Sequence, residues 1–174
     1  QRALLATARR PIMIAGLDAV NEAAGDALRA FCEHFQAPLI TTYKGKGLLA
    51  ETHALALGGA GLSPKADKLL LPLIDRADLV ILAGYDPIEM RINWRHPWPE
   101  DKPVIDIVAE AMPHGMHAVT HQFVAGIAET LEELRQGNAP AGPAWPDQEP
   151  QRVRRDLAEA FRPTANWGPS AVFA

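Results

Sequence analysis

Internal disulfides are excluded at once, because the 174 residues contain one cysteine, Cys32. A reducing compartment suits such a chain, and the cytoplasm is the expected location. No apolar run approaches the roughly 20 residues that a membrane helix needs, so no membrane partner is expected. The start, QRALLATARR, has no signal-peptide apolar core. Positive charge is not in excess either. A net charge of −4 and a pI near 5.9 leave no electrostatic footprint for nucleic acid.

Several chemical signatures are missing too. The first apolar stretch runs into AGLDAVNEAAG. A dinucleotide fingerprint needs glycines for a tight turn and for close approach to pyrophosphate. Only Gly16 stands where one belongs; Leu17 and Asp18 replace the rest. An acid at a helix start caps the helix but opposes a phosphate. TTYKGKG is not a P-loop, since no helix follows and the Gly-Lys-Ser/Thr order is absent. No nucleophile elbow occurs. His114, His117 and His121 have a spacing that would suit zinc on a helix, but Pro113 and Gly115 argue against a helix there. Exposed loop histidines, and no metal site, are the expectation. Cys32 falls on or beside an apolar helical face and is expected to be packed.

What is present is alternation. Helical patterns are expected at 2–8, from Val20 to Phe35, at 63–76 behind Ser63 and Pro64, at 126–136 and at 151–161. Compact apolar runs at 12–15, 38–42, 79–83, 104–108 and 121–125 read as strands. Strands alternating with helices mean βαβ units, so the expected fold is α/β: five or six mostly parallel strands with helices on both faces. GNAPAGPAWPDQEP, residues 137–150, is rich in proline and glycine and reads as a linker. The compact core is then about 9–136, within a domain of 1–136. Residues 151–174 are a connector helix and the start of something further. The chain opens on Gln1 and closes on WGPSAVFA, where Pro169, Ala171, Val172 and Phe173 look like a helix beginning. A piece of a longer chain is the expectation.

Ligands of open α/β sheets sit beyond the carboxyl ends of the strands. The polar residues there are therefore the candidates. Gly84, Tyr85, Asp86, Glu89 and Arg91 follow the 79–83 run, and Asp106 lies within the next. Lys44 and Lys46 either meet a phosphate or carboxylate or belong to a glycine-shaped surface turn, and spacing favours the turn. RINWRHPW gathers Arg91, Arg95, His96 and two tryptophans. Either the tryptophans pack this loop against a neighbouring domain, or an arginine orients a substrate carboxylate.

Taken in order, RPIMIAG, APLITTYKGKGLLAETHALALGGAG, RADLVILAGYDPIEMR and VIDIVAE resemble the middle domain of thiamine-diphosphate-dependent enzymes, the superfamily of acetolactate synthase, pyruvate oxidase and benzoylformate decarboxylase. The resemblance runs from about Arg10 to Arg135, and the tail NWGPSAVFA is similar to the start of the next domain. It implies a six-stranded parallel Rossmann-like sheet of the nucleotide-binding type. It also implies a parent of three α/β domains, a homodimer or homotetramer, holding thiamine diphosphate and Mg2+ between its first and third domains. In such parents the cofactor ylid attacks a 2-oxo carbon and CO2 leaves. Some middle domains hold FAD and others an adenine nucleotide. Flavin-using members read Gly-Ala-Arg-Phe-Asp-Asp-Arg where this chain has Gly84-Tyr85-Asp86-Pro87-Ile88-Glu89-Met90-Arg91. Asp86 thus stands where a phosphate partner would be wanted, and no FAD is expected. The resemblance implies a non-catalytic scaffold whose 44–47 and 84–95 loops face the active-site mouth. Gly16, Lys44, Lys46, Gly84, Tyr85, Asp86, Arg91, Arg95 and Asp106 are its cleft or substrate-facing candidates. A stand-alone module holding FAD, ADP or CoA at the same strand ends is the rival expectation.

Overall fold

The structure is a computed structural model and describes residues 1–111 and 115–162. The expected helix start near Pro169, and His114 of the histidine set, lie outside the described residues. Six strands form one sheet: β1 (Pro11–Ala15), β2 (Leu39–Thr41), β3 (Ala56–Gly59), β4 (Leu79–Ala83), β5 (Val104–Val108) and β6 (His121–Val124). Their order across the sheet is β3-β2-β1-β4-β5-β6, and every pairing is parallel. The expected Rossmann-like sheet is present. The order reverses between β1 and β4, where a crevice belongs in a doubly wound fold.

β1, β4 and β5 are buried along their whole length. Successive side chains point to opposite faces, so each strand feeds two cores. Met13, Ala15, Ile81, Ala83, Ile105 and Ile107 pack with α3 (Gly25–Phe35) and α5 (Ile127–Arg135). Ile12, Ile14, Val80, Leu82 and Val104 pack with α4 (Pro64–Arg76) and α6 (Glu149–Ala160). α1 (Arg2–Thr7) joins the first core through Leu5. Cys32 is fully buried there with its Sγ 3.8 Å from Met13 Sδ. Burial, reinforced by the charge of Glu33, pushes its thiol pKa up, which keeps it from ionising.

Three departures from the sequence reading have identifiable causes. The helix expected from Val20 to Phe35 is two helices, α2 (Leu17–Asn21) and α3, because Ala23 adopts a left-handed φ of 53° and resets the direction. β3 carries no β-branched residue; its ALGG is held as a strand by parallel pairing to β2. The 137–150 stretch is anchored rather than free. Trp145 is 3% exposed, its Nε1 donates to Pro11 O at 2.8 Å, and beyond it Val153 of α6 joins the core.

α4 sits at its predicted place. Ser63 Oγ accepts from Ala66 N at 3.4 Å with Pro64 in the first turn. Its far end is closed by Lys102, 8% exposed, whose Nζ donates to Ile74 O, Asp75 O and Ala77 O at 3.1, 2.5 and 2.7 Å. That ammonium takes the place of water at the last carbonyls of the helix, of which Ile74 O also accepts from Ala77 N at 3.2 Å. Desolvation lowers its pKa, an effect that Asp75, Asp78 and Asp101 oppose.

Candidate functional site

The β1/β4 junction is sealed by main chain. Gly16 N donates to Ala83 O at 3.0 Å, and Asp18 N, in the first turn of α2, donates to Gly84 O at 3.3 Å. A Cβ on Gly16 would overlap Gly84 O and lie 2.8 Å from Tyr85 Cα. A Cβ on Gly84, whose φ is +58°, would overlap Ala19 N and lie 2.8 Å from Ile127 Cδ1. The two glycines let the segments touch, so an amide that would face a phosphate in a dinucleotide site is engaged by a carbonyl. The start of α5 is closed similarly: Ile127 N donates to Glu22 Oε2 at 2.7 Å.

One pair of strands further along, side chains hold the backbones apart. A cleft of about 70 Å³ opens among Leu82, Tyr85, Asp106, Met116, His117 and Gln122. Asp106 and Gln122 are register partners on β5 and β6, and Gln122 Nε2 donates to Asp106 Oδ2 at 2.9 Å. Asp106 is 7% exposed, and its buried Oδ1 has no hydrogen-bond partner among the described residues. Burial raises its pKa, against the lowering effect of the Gln122 bond. Tyr85, 2% exposed, has its phenol pKa raised by burial first and by the charges of Asp86 and Glu89 after it. Tyr85 Oη lies 3.4 Å from His117 Nδ1, and the two rings stack with centroids 5.8 Å apart.

His117 was expected as an exposed loop residue. It is instead half-buried, with Nε2 2.6 Å from Trp94 O and its ring edge-on to Trp98 at 5.1 Å. The tryptophans depart from expectation in the same way. Rather than facing another domain, Trp94 and Trp98 are 1% and 6% exposed inside this one, and Trp98 Nε1 donates to Ala118 O at 2.9 Å. Both join the α4/α6 core. His121 is half-buried at the start of β6. Among the described residues no three His, Cys, Asp or Glu come together as a metal group.

The remaining candidates are scattered along the carboxyl end of the sheet. Asp86 Oδ1 accepts from Ile88 N at 2.9 Å and so caps the short turn Pro87–Glu89. Arg91 and Arg95 are exposed. Lys44 is exposed, while Lys46 pairs with Glu51 at 2.7 Å. Lys46 also lines a much larger cleft, about 630 Å³, beside Arg29 and His53. Each of those two has its own carboxylate: Arg29 meets Asp26 at 2.9 Å and His53 meets Glu33 at 3.1 Å. The structure thus brings Tyr85 and Asp106 together, holds Gly16 against Gly84, and leaves Lys44, Arg91 and Arg95 in solvent. Gln122 is the partner that sequence reading did not find, although parallel alignment of HQFV with VIDIV would have placed it opposite Asp106; His117 was marked by its histidine spacing but read as an exposed loop residue, because its contact with Tyr85 crosses 32 residues.

The comparisons with known proteins bear on the family and the fold. The family model described as thiamine pyrophosphate enzyme, central domain, matches residues 2–134. The chain is 27% identical to oxalyl-CoA decarboxylase of Escherichia coli K12, over 92% of this chain and 29% of that protein. It is 35% identical to the acetolactate synthase large subunit of Parasynechococcus marenigrum, over 47% of this chain and 13% of the relative. Its fold is that of an enzyme isolated from Mycobacterium smegmatis and described as thiamin diphosphate-dependent. There the TM-score is 0.65 at 20% identity, over 83% of this chain and 28% of the other. The chain therefore spans less than a third of each of these relatives, and it belongs to the family of thiamine pyrophosphate enzyme central domains.

Proposed function

We propose that this chain is the non-catalytic central domain of a cytoplasmic, homo-oligomeric thiamine-diphosphate-dependent 2-oxo-acid decarboxylase or carboligase. It acts there as scaffold for the other two domains of its parent. The observation that supports a scaffold over a nucleotide holder is the β1/β4 junction. Gly16 and Gly84 bring main chain into the crevice, and Gly84 O engages the first-turn amide of α2. A flavin dinucleotide needs such an amide free and a cation nearby. Asp86 offers neither, since its carboxylate caps the turn after β4.

The residues here do not fit thiamine diphosphate either. Its diphosphate is held through Mg2+, which takes oxygen ligands, carboxylates among them, and among the described residues no such group of acids converges. The cofactor, the metal and the chemistry are accordingly assigned to the parent's other domains. The part reserved for this domain is at its carboxyl-end loops, where the exposed guanidinium of Arg91 or Arg95 orients a substrate carboxylate.

The test is CO2 release from a panel of 2-oxo acids by the full-length parent, with and without thiamine diphosphate and Mg2+. Strict dependence on both is expected, from a preparation without flavin absorbance. Release that is indifferent to thiamine diphosphate overturns the assignment of activity. A yellow chromophore at one per chain after gel filtration overturns the scaffold reading of the crevice.

A further inference from the structure

The two exposed arginines of the loop after β4 are held by different means. Arg91 is fixed by main chain on both sides: its N donates to Gly61 O at 3.0 Å, and its O accepts from Trp94 N at 2.9 Å. The second of these bonds closes the short turn Ile92–Trp94. Arg95 comes immediately after that turn and has no main-chain hydrogen bond of its own among the described residues. Its place is set by Trp94.

Trp94 is pinned at three points. Its indole is 1% exposed in the α4/α6 core, its amide closes the turn, and its carbonyl accepts from His117 Nε2 at 2.6 Å. A carbonyl can only accept, so in the neutral imidazole Nε2 carries the ring proton and Nδ1 is left as an acceptor. Tyr85 Oη, 3.4 Å from Nδ1, supplies the donor, its phenol kept protonated by burial. The same segment grips the loop again three residues beyond Arg95. Ala118 O accepts from Trp98 Nε1 at 2.9 Å, and Trp98 meets the His117 ring edge-on at 5.1 Å. Arg95 therefore lies between two anchors, Trp94 and Trp98, both tied to residues 117 and 118.

We infer that His117 is a positioning residue for Arg95, fixing the main chain at Trp94 from which that guanidinium reaches a substrate carboxylate. The inference rests on the reading of an arginine of this loop as the carboxylate partner. An arginine on loose main chain loses part of its pairing energy to ordering; main chain fixed beforehand removes that loss. Arg91, held by Gly61 and by the turn, does not depend on His117 in this way.

The test compares His117→Ala with His117→Gln in the full-length parent. Glutamine keeps an N–H donor at about the reach of Nε2, and alanine does not. His117→Ala is expected to lower kcat/KM for a 2-oxo acid about tenfold while a matched uncharged aldehyde is unchanged, and His117→Gln to recover most of the loss. The effect passes through Arg95. His117→Ala should therefore cost nothing more in an Arg95→Ala background, yet still cost about tenfold in an Arg91→Ala background. Hydrogen–deuterium exchange reads the loop apart from activity: peptides spanning 92–98 should exchange faster in His117→Ala, with β1 and β4 still protected. Unchanged exchange at 92–98, equal loss on both substrates, or a further loss in the Arg95→Ala background each overturns the inference. If Arg95→Ala impairs the 2-oxo acid and His117→Ala does not, the positioning role falls and the proposed function stands. If both arginine variants turn over the 2-oxo acid normally while His117→Ala still loosens 92–98, the proposed carboxylate role falls and takes the inference with it.

Discussion

At the β1/β4 junction two main chains touch, through Gly16 and Gly84, and no side chain comes between them. At the neighbouring ends of β4, β5 and β6, Tyr85, Asp106, His117 and Gln122 keep the chains apart and leave a cleft of about 70 Å³. Both regions lie at strand ends, where an α/β sheet presents ligands. The presence or absence of side chains sets them apart. Two glycines let main chain pack against main chain, whereas a carboxyl placed on a strand leaves space beside it, with no hydrogen-bond partner for Asp106 Oδ1 among the described residues. A strand-end position alone therefore does not make a site; the side chains lining it decide.

The seam should be the more fragile of the two. Gly84→Val adds a β-branched side chain at a φ of +58°, against Ala19 and Ile127. The expected loss is more than about 4 kcal/mol in denaturant melts, combining backbone strain with overpacking. A loss below about 1 kcal/mol would show that the seam yields. Leu82→Ala tests the boundary between the regions, since Leu82 is 2% exposed and also lines the cleft. A cost of about 2–5 kcal/mol is expected, the usual range for a buried leucine. A much smaller figure would mean the cleft collapses to fill the space.

Beyond the cleft the effects should move from stability to catalysis. In the full-length parent, Arg91→Ala or Arg95→Ala is expected to lower kcat/KM for a 2-oxo acid about tenfold, roughly 1.4 kcal/mol. The matched uncharged aldehyde should be unaffected. Equal loss on both substrates would assign the loop to interface alone.

The smallest effect belongs to Asp106→Asn, within about 1 kcal/mol at neutral pH, because the amide still pairs with Gln122 without a buried charge. Its pH dependence is the sharper readout. Burial raises the folded pKa of Asp106 above the ordinary value of 3.8, so the folded chain binds a proton more tightly than the unfolded chain does. Wild-type stability should then fall relative to the asparagine variant as pH rises from 3.8 through the folded pKa, and level off above it. Parallel curves for the two proteins would mean that Asp106 is not desolvated.

Much of the fold was legible because its signals are local. Ser63 and Pro64 mark the start of α4, and the apolar runs of β1, β4 and β5 need both faces covered whatever surrounds them. β3 was not legible, since ALGG has no strand propensity and exists by pairing with β2. The tryptophans of RINWRHPW misled for a related reason. Their apolar area announces burial but not against what, and the structure buries Trp94 and Trp98 in their own domain.

The sequence by itself determined the alternation of strands and helices, the family to which the chain belongs, and the glycines that permit close approach after β1 and β4. These come from side-chain periodicity, backbone freedom and motif order, which are properties of neighbours along the chain. Only the tertiary structure decided that Gly16 and Gly84 approach each other, that Gln122 meets Asp106, and that His117 closes over Tyr85. Those pairs lie 68, 16 and 32 residues apart in sequence. Their meeting is set by strand order and register, which a one-dimensional pattern does not contain.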